Sequence, residues 1–155
     1  MRDARKMFRL GKSLHEIHAL RDLVKEKHDT KTILKIMTRA FNIFYWIYDN
    51  LTILSKTKVL PALDTKQVAW YSNAFWLLGM IPTLILACIN LTEAMKAEAK
   101  LLQEKPEDAT EQMKVIAKKK FDAILVIIKT LGDMVVAANA IDLIENTVGY
   151  KCNDG

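Results

Sequence analysis

Five cations crowd the opening of this chain: Arg2, Arg5, Lys6, Arg9 and Lys12, opposed there only by Asp3. Residues 1–39 hold eleven Lys and Arg against five Asp and Glu, about +6, while residues 40–155 hold twelve against thirteen, about −1. The whole basic excess therefore sits in the first quarter of the molecule. Lys and Arg in such density attract phosphate, whether on a lipid surface or a nucleic acid, and also acidic protein. Between the cations, Met7, Leu10, Leu14, Ile17, Leu20 and Val24 recur at the 3/4 spacing that aligns one face of an α-helix. A basic amphipathic helix of this kind suits an anionic membrane surface, an acidic partner or one wall of a helical bundle. Nucleic acid is not the expected partner, because a basic face alone binds it without sequence recognition, and neither zinc-finger spacing nor an aromatic-laced RNA motif accompanies it.

Other reactive side chains are sparse. His15 and His18 stand three apart with Glu16 between them, too few ligands for a zinc site without a third or fourth elsewhere, so surface histidines are the simpler reading. Asp49 beside Asn50 lies in aromatic surroundings; this pair reads either as a helix-packing hydrogen-bond site or as a buried proton site. The Lys118-Lys119-Lys120 run before Phe121 fits an interfacial anchor and a solvated helix face equally well. Cys88, inside an apolar run, and Cys152, near the C-terminus, do not form a disulfide framework, and a reducing compartment suits them. The sequence lacks a phosphate-cradling G-x-x-x-x-G-K-[ST] loop, a G-x-S-x-G elbow and a C-x-x-C pair. No catalytic constellation emerges, so neither an enzyme nor a cofactor or metal is expected.

The elements that must position these residues are helices. Five glycines and three prolines in 155 residues leave few breakers, and the length is that of one domain. The N-terminal segment is too charged for a secretory signal. The reading is all-α, about four long helices in a bundle: a basic amphipathic helix over 1–27, a second over 31–57, a third over 65–102 and a fourth over 107–147. Asp29 or Thr30 caps the second, with Ile33, Ile36, Met37, Ala40, Phe44, Ile47, Leu51 and Leu54 on one broad face, and Pro61 with Asp64 marks the next start.

The third helix is membrane-embedded or at least strongly apolar. No charge occurs from Val68 to Thr92, 25 positions, or about 37 Å of helix against about 30 Å of bilayer hydrocarbon. Trp70, Tyr71 and Trp76 gather at one end, as interfacial aromatics do, whereas Asn73, Gly79, Pro82, Thr83 and Asn90 weaken the span, and Pro82 is expected to kink it. The fourth helix is apolar but broken by Asp122, Lys129, Asp133 and Asp142, which suits packing on protein or an interfacial position better than bilayer depth.

Four ordered blocks resemble the peroxin-11 family of peroxisomal membrane proteins. Arg5-Lys-Met-Phe-Arg-Leu-Gly-Lys12 resembles its R-K-x-x-R-L-G-K signature, and Tyr45-Trp-Ile-Tyr-Asp-Asn-Leu-Thr-Ile-Leu-Ser-Lys56 its Y-x-x-x-D-N-x-x-x-x-x-K block. Trp70 with Phe75-Trp-Leu-Leu and Ile89-Asn-Leu is similar to the aromatic stretch that follows, and Asp133 to Asp142 with Gly149 to Gly155 to the family's ending. The chain starts almost at the first block and stops where a glycine-rich hydrophobic segment would begin, so the resemblance implies a fragment lacking the C-terminal hydrophobic anchor. It further implies a membrane-remodelling protein that promotes peroxisome elongation, proliferation and division at the peroxisomal membrane. Its partners would be an anionic phospholipid membrane, further copies of itself, and a dynamin-related GTPase with a fission adaptor. Carried over by position, Met7, Leu10, Leu14 and Ile17 would form the inserting face, and Arg2, Arg5, Lys6, Arg9 and Lys12 the headgroup contacts. Gly11, beside that face, leaves a gap that lipid fills more easily than a packed core does. Two other readings remain open: a soluble helical-bundle adaptor whose basic first helix docks on an acidic protein, and a pore lined by Asn73, Asn90 and Asp49.

Overall fold

Aspartates open two of the long helices. In the computed structural model, which describes residues 12–26, 29–104 and 109–148, Asp29 caps a helix by accepting the Thr32 amide at 2.7 Å. Asp64 does the same for the next, accepting the Lys66 amide at 2.9 Å. Such caps satisfy N–H groups that have no partner inside the helix. The cap hydrogen bonds, with nearby Lys35 and Lys31 adding to them, hold the Asp29 carboxyl below its ordinary range. Among the described residues the order is α1 (Lys12–Val24), α2 (Thr30–Lys56), α3 (Thr65–Glu104), α4 (Ala109–Ala140) and the short α5 (Leu143–Val148), with no strand.

Two residues with positive φ close helices. Lys58 (φ 59°) follows the end of α2, where the Val59 amide reaches back to the Leu54 carbonyl at 3.0 Å and the Lys58 amide to Ser55 at 3.0 Å. That is the doubly bonded C-terminal turn usually built around glycine. Asp142 (φ 57°) breaks the expected continuous fourth helix, so α4 stops at Ala140 and α5 begins at Leu143. Aspartate tolerates this left-handed region better than most residues, and the Trp70 indole N–H donates to the Ile141 carbonyl freed at the break, at 3.3 Å. Pro82 lies inside α3, which continues through it as one helix. The Thr83 hydroxyl donates to the Gly79 carbonyl at 2.9 Å just there.

The helices pack in series: α1 on α2, α2 on α3, α3 on α4, with α5 against α4, and among the described residues no other pair meets. Thr38 lies 3.2 Å from Thr83 and Ser55 2.5 Å from Thr65, so α2 and α3 run antiparallel. Lys120 with Glu98 and Trp70 with Ile141 fix the same antiparallel sense for α3 and α4. Helix α3 therefore carries two seams. Val68, Ser72, Gly79 and Pro82 are buried on one, where the Ser72 hydroxyl donates to the Tyr45 carbonyl and Gly79 faces Phe41. Met80, Ala87, Ala94 and Leu101 are buried at seven-residue intervals on the other, matched on α4 by Ala123, Thr130 and Ala137 at the same interval. A seven-residue repeat of small residues lets two helices lie close together along their length.

The two helical glycines invite opposite outcomes. A Cβ on Gly79 would lie 3.2 Å from the Phe41 Cβ, whereas one on Gly132 would meet nothing within 4 Å. Gly79→Leu is expected to destabilise by about 1–3 kcal/mol through overpacking. Gly132→Ala is expected to stabilise by about 0.5–1 kcal/mol through helix propensity. Thermal unfolding followed by circular dichroism checks both. For Asp29 the lowered carboxyl pKa means that its contribution to the start of α2 is complete above the ordinary Asp value, about 3.9, and is lost as pH falls through the lowered one. The protection of the Thr32 amide, the intrinsic exchange rate at each pH divided by the observed one, is expected to fall over that acid range, and Asp29→Ala to remove that change in protection.

Candidate membrane interface

Because α2 and α4 cover two adjacent sides of α3, the remaining side is bare among the described residues. Leu78, Ile81, Ile85 and Cys88 lie exposed along it, Ile85 at 45%, with Trp70 and Tyr71 at its N-terminal end. Of the most apolar 18-residue stretch of α3, 22% is buried within the protein. A helix apolar on every side needs either a protein core around it or lipid; the described residues supply protein on only part of its circumference.

Helix α4 repeats the pattern. Phe121, Leu125, Ile128 and Val135 form a stripe turned away from α3, Ile128 being 61% exposed, and Gly132 opens onto free space in the same stripe. The sequence showed the apolar residues of α4 but not which way they face. Buried Ala123, Thr130 and Ala137 assign the small residues to the α3 seam and so send the large ones outward. Lys129 is exposed beside this stripe, and Asp133 lies partly buried near it, as an interfacial helix tolerates better than a spanning one.

Aromatic side chains tie α2 to the N-terminal half of α3. Phe44 stacks on Phe75 at 5.1 Å and Tyr48 on Phe75 at 5.5 Å, Tyr48 meets Tyr71 at 5.4 Å and Tyr45 lies 6.0 Å from Trp76. Such pairs contribute about 0.5–1.5 kcal/mol each beyond area burial. Beside them, Asp49 Oδ2 and Asn50 Oδ1 are buried without a hydrogen-bond partner among the described residues. At the opposite end of α3, charges pair across helices: Lys31 with Glu93, and Lys120 with Glu98 at 2.6 Å. One end of the packed helices is thus ionic, and the middle and other end are apolar and aromatic.

Of the expected inserting face, Ile17 is 46% exposed on α1. Met7, Leu10, Arg2, Arg5, Lys6 and Arg9 lie outside the described residues, as do the side chains of Leu14 and Lys12. The remainder of that stripe divides: Leu20 turns partly inward with Ala19 and Leu23, while Val24 stays exposed. Glu16 anchors α1 to α2 through Arg39 at 2.7 Å. His15 and His18 are both exposed, and among the described residues no three His, Cys, Asp or Glu side chains gather as metal ligands. Of the lysine run, Lys118 and Lys119 are exposed, and Lys120 is engaged by Glu98. Cys152 lies outside the described residues.

These features define an all-helical protein with one helix long and apolar enough to cross a membrane among the described residues. Residues 1–151 match the family described as Peroxisomal biogenesis factor 11 (PEX11), and the chain belongs to that family. It is 33% identical over 100 residues to the Peroxisomal membrane protein 11 homolog of Dictyostelium discoideum, covering 63% of this chain and 39% of that protein. It is 26% identical over 141 residues to Peroxisomal membrane protein 11-4 of Oryza sativa subsp. indica, covering 91% of this chain and 58% of that protein. The chain thus spans about 39–58% of the length of the curated relatives it matches. No solved structure matches it significantly. Membership of this family places the chain at the peroxisomal membrane.

Cys88 reports on the bare side of α3. In sealed vesicles carrying the chain it is expected to react with a membrane-permeant maleimide and to resist an impermeant one. Equal reaction with both reagents would show that this side of α3 faces water.

Proposed function

We propose that the chain remodels the peroxisomal membrane, promoting elongation, proliferation and division by inserting its basic N-terminal helix into the cytosolic leaflet. The observation that carries this reading is the apolar surface of α3 and α4 left uncovered by the described residues, together with a first helix, packed on α2, whose Ile17 and Val24 are exposed. In this reading lipid covers the bare sides of α3 and α4. The inserting face is Met7, Leu10, Leu14 and Ile17, and the cations Arg2, Arg5, Lys6, Arg9 and Lys12 hold phosphate at the surface. Near an anionic leaflet each Lys or Arg contributes about 1 kcal/mol, and each large apolar side chain buried contributes about 1.5–3 kcal/mol before ordering costs. A wedge at shallow depth expands one leaflet relative to the other and favours positive curvature. Self-association of embedded copies would concentrate the wedges, and a dynamin-related GTPase with a fission adaptor would complete division.

Vesicle co-sedimentation and electron microscopy test the reading on the full chain. Binding is expected to rise with anionic lipid and to tubulate vesicles. Leu14→Glu and Ile17→Glu are each expected to weaken binding at least about tenfold, the loss of one apolar anchor, with helicity in water unchanged. Binding indifferent to lipid composition would favour instead an adaptor docking on acidic protein.

A further inference from the structure

We propose that the cleft between α2 and α4 binds one zwitterionic phospholipid, its head among Lys31, Glu93, Lys119 and Asp122 and an acyl chain along Leu86 and Val126. Because α2 and α4 do not touch, the groove between them is floored by α3, and it encloses about 670 Å³ lined by these residues. Volumes of roughly 300–1,000 Å³ hold single small-molecule ligands. The lining is divided along its length. Glu93 immediately follows the charge-free stretch that ends at Thr92, while Leu86 lies seven positions earlier, about 10 Å further into the apolar zone. A ligand fitting that division has a polar head at the ionic end and a hydrocarbon tail directed inward, the posture of a lipid in its own leaflet.

The charges select the head. Two lysines and two carboxylates line the cleft, so its ionic lining is neutral overall. Lys31 is already paired with Glu93. Among the described residues Lys119 and Asp122 form no ion pair, although both face the cleft. A phosphodiester with an attached ammonium satisfies both at once, phosphate at Lys119 and ammonium at Asp122. A purely anionic head, or a fatty acid carboxylate, would satisfy Lys119 and leave Asp122 facing like charge. The site therefore differs from the N-terminal cations, which attract anionic lipid.

This inference rests on the membrane-embedded reading above, and the test separates the two. The full chain is reconstituted in vesicles of equal phosphatidylcholine and phosphatidylglycerol, with a diazirine on the acyl chain of one lipid or the other, and cross-linked residues are assigned one by one from fragment ions in mass spectrometry. The phosphatidylcholine probe is expected to label Leu86 and Val126 several-fold more than the phosphatidylglycerol probe. Glu93→Gln with Asp122→Asn is expected to reverse that preference. Leu86→Trp is expected to abolish labelling at Val126 while Ile85, on the bare side of α3, stays labelled and circular dichroism is unchanged. Soluble glycerophosphocholine is expected not to compete. Equal labelling by both heads, an unchanged preference in the double variant, or competition by the soluble head overturns the proposal. Labelled Ile85 with a silent cleft overturns the cleft alone; silence at both overturns the embedded reading and the cleft with it.

Discussion

A helix apolar around its whole circumference must be surrounded, and among the described residues α3 is such a helix with two neighbours. Everything else in the fold follows from how those neighbours meet it. Helix α2 approaches along Val68, Ser72, Gly79 and Pro82, and α4 along Met80, Ala87, Ala94 and Leu101. The two rows lie close together on the circumference, so α2 and α4 flank a cleft on one side of α3 and leave the opposite side open. Small residues permit this: Gly79 lets Phe41 approach, and the alanine repeat lets α4 lie close. Where lipid competes with protein for apolar surface, such close contact is what holds helices together.

Polarity is organised along the helix axes rather than from inside to outside. The pairs of Lys31 with Glu93 and Lys120 with Glu98 gather at the C-terminal end of α3, whereas aromatic stacking dominates toward its N-terminal end. The ion pairs are partly exposed, and pairs of that kind contribute only about 0–1 kcal/mol each. Their larger effect is to set the level at which α2, α3 and α4 stand beside one another. The same layer marks where an apolar slab would end, which is why the cleft has charges at one end and hydrocarbon at the other.

Part of the site was legible from residue types. The charge-free run of α3 and the aromatic cluster are local properties, and so are Asp29 as a cap and Asp64 as a new start. The break at Asp142 was not legible, because apolar spacing continues into Leu143-Ile144 and only the left-handed backbone at Asp142 interrupts the helix. Pro82 removes an amide donor within α3, and the helix runs through it with the Thr83 hydroxyl donating to the Gly79 carbonyl. Lys119 reads as part of an interfacial anchor or a solvated face and Asp122 as a charge interrupting an apolar helix, and nothing near them in the chain announces Lys31 across a cleft.

Residue order alone determined that the chain is all helix, that its cations precede its apolar spans and that one helix is apolar enough to require lipid or a core. Those properties arise within a few turns, from periodicity, capping and charge. Tertiary structure decided which side of each helix is used: it turned the alanines of α4 inward and Phe121, Leu125 and Ile128 outward. It also divided the α1 stripe, with Leu20 partly inward and Ile17 outward. An apolar residue is equally satisfied by a neighbouring helix or by lipid, so hydrophobicity cannot choose between them. The choice falls to shape, because only small side chains allow helices to close on one another, and the larger ones are left for whatever surrounds the protein.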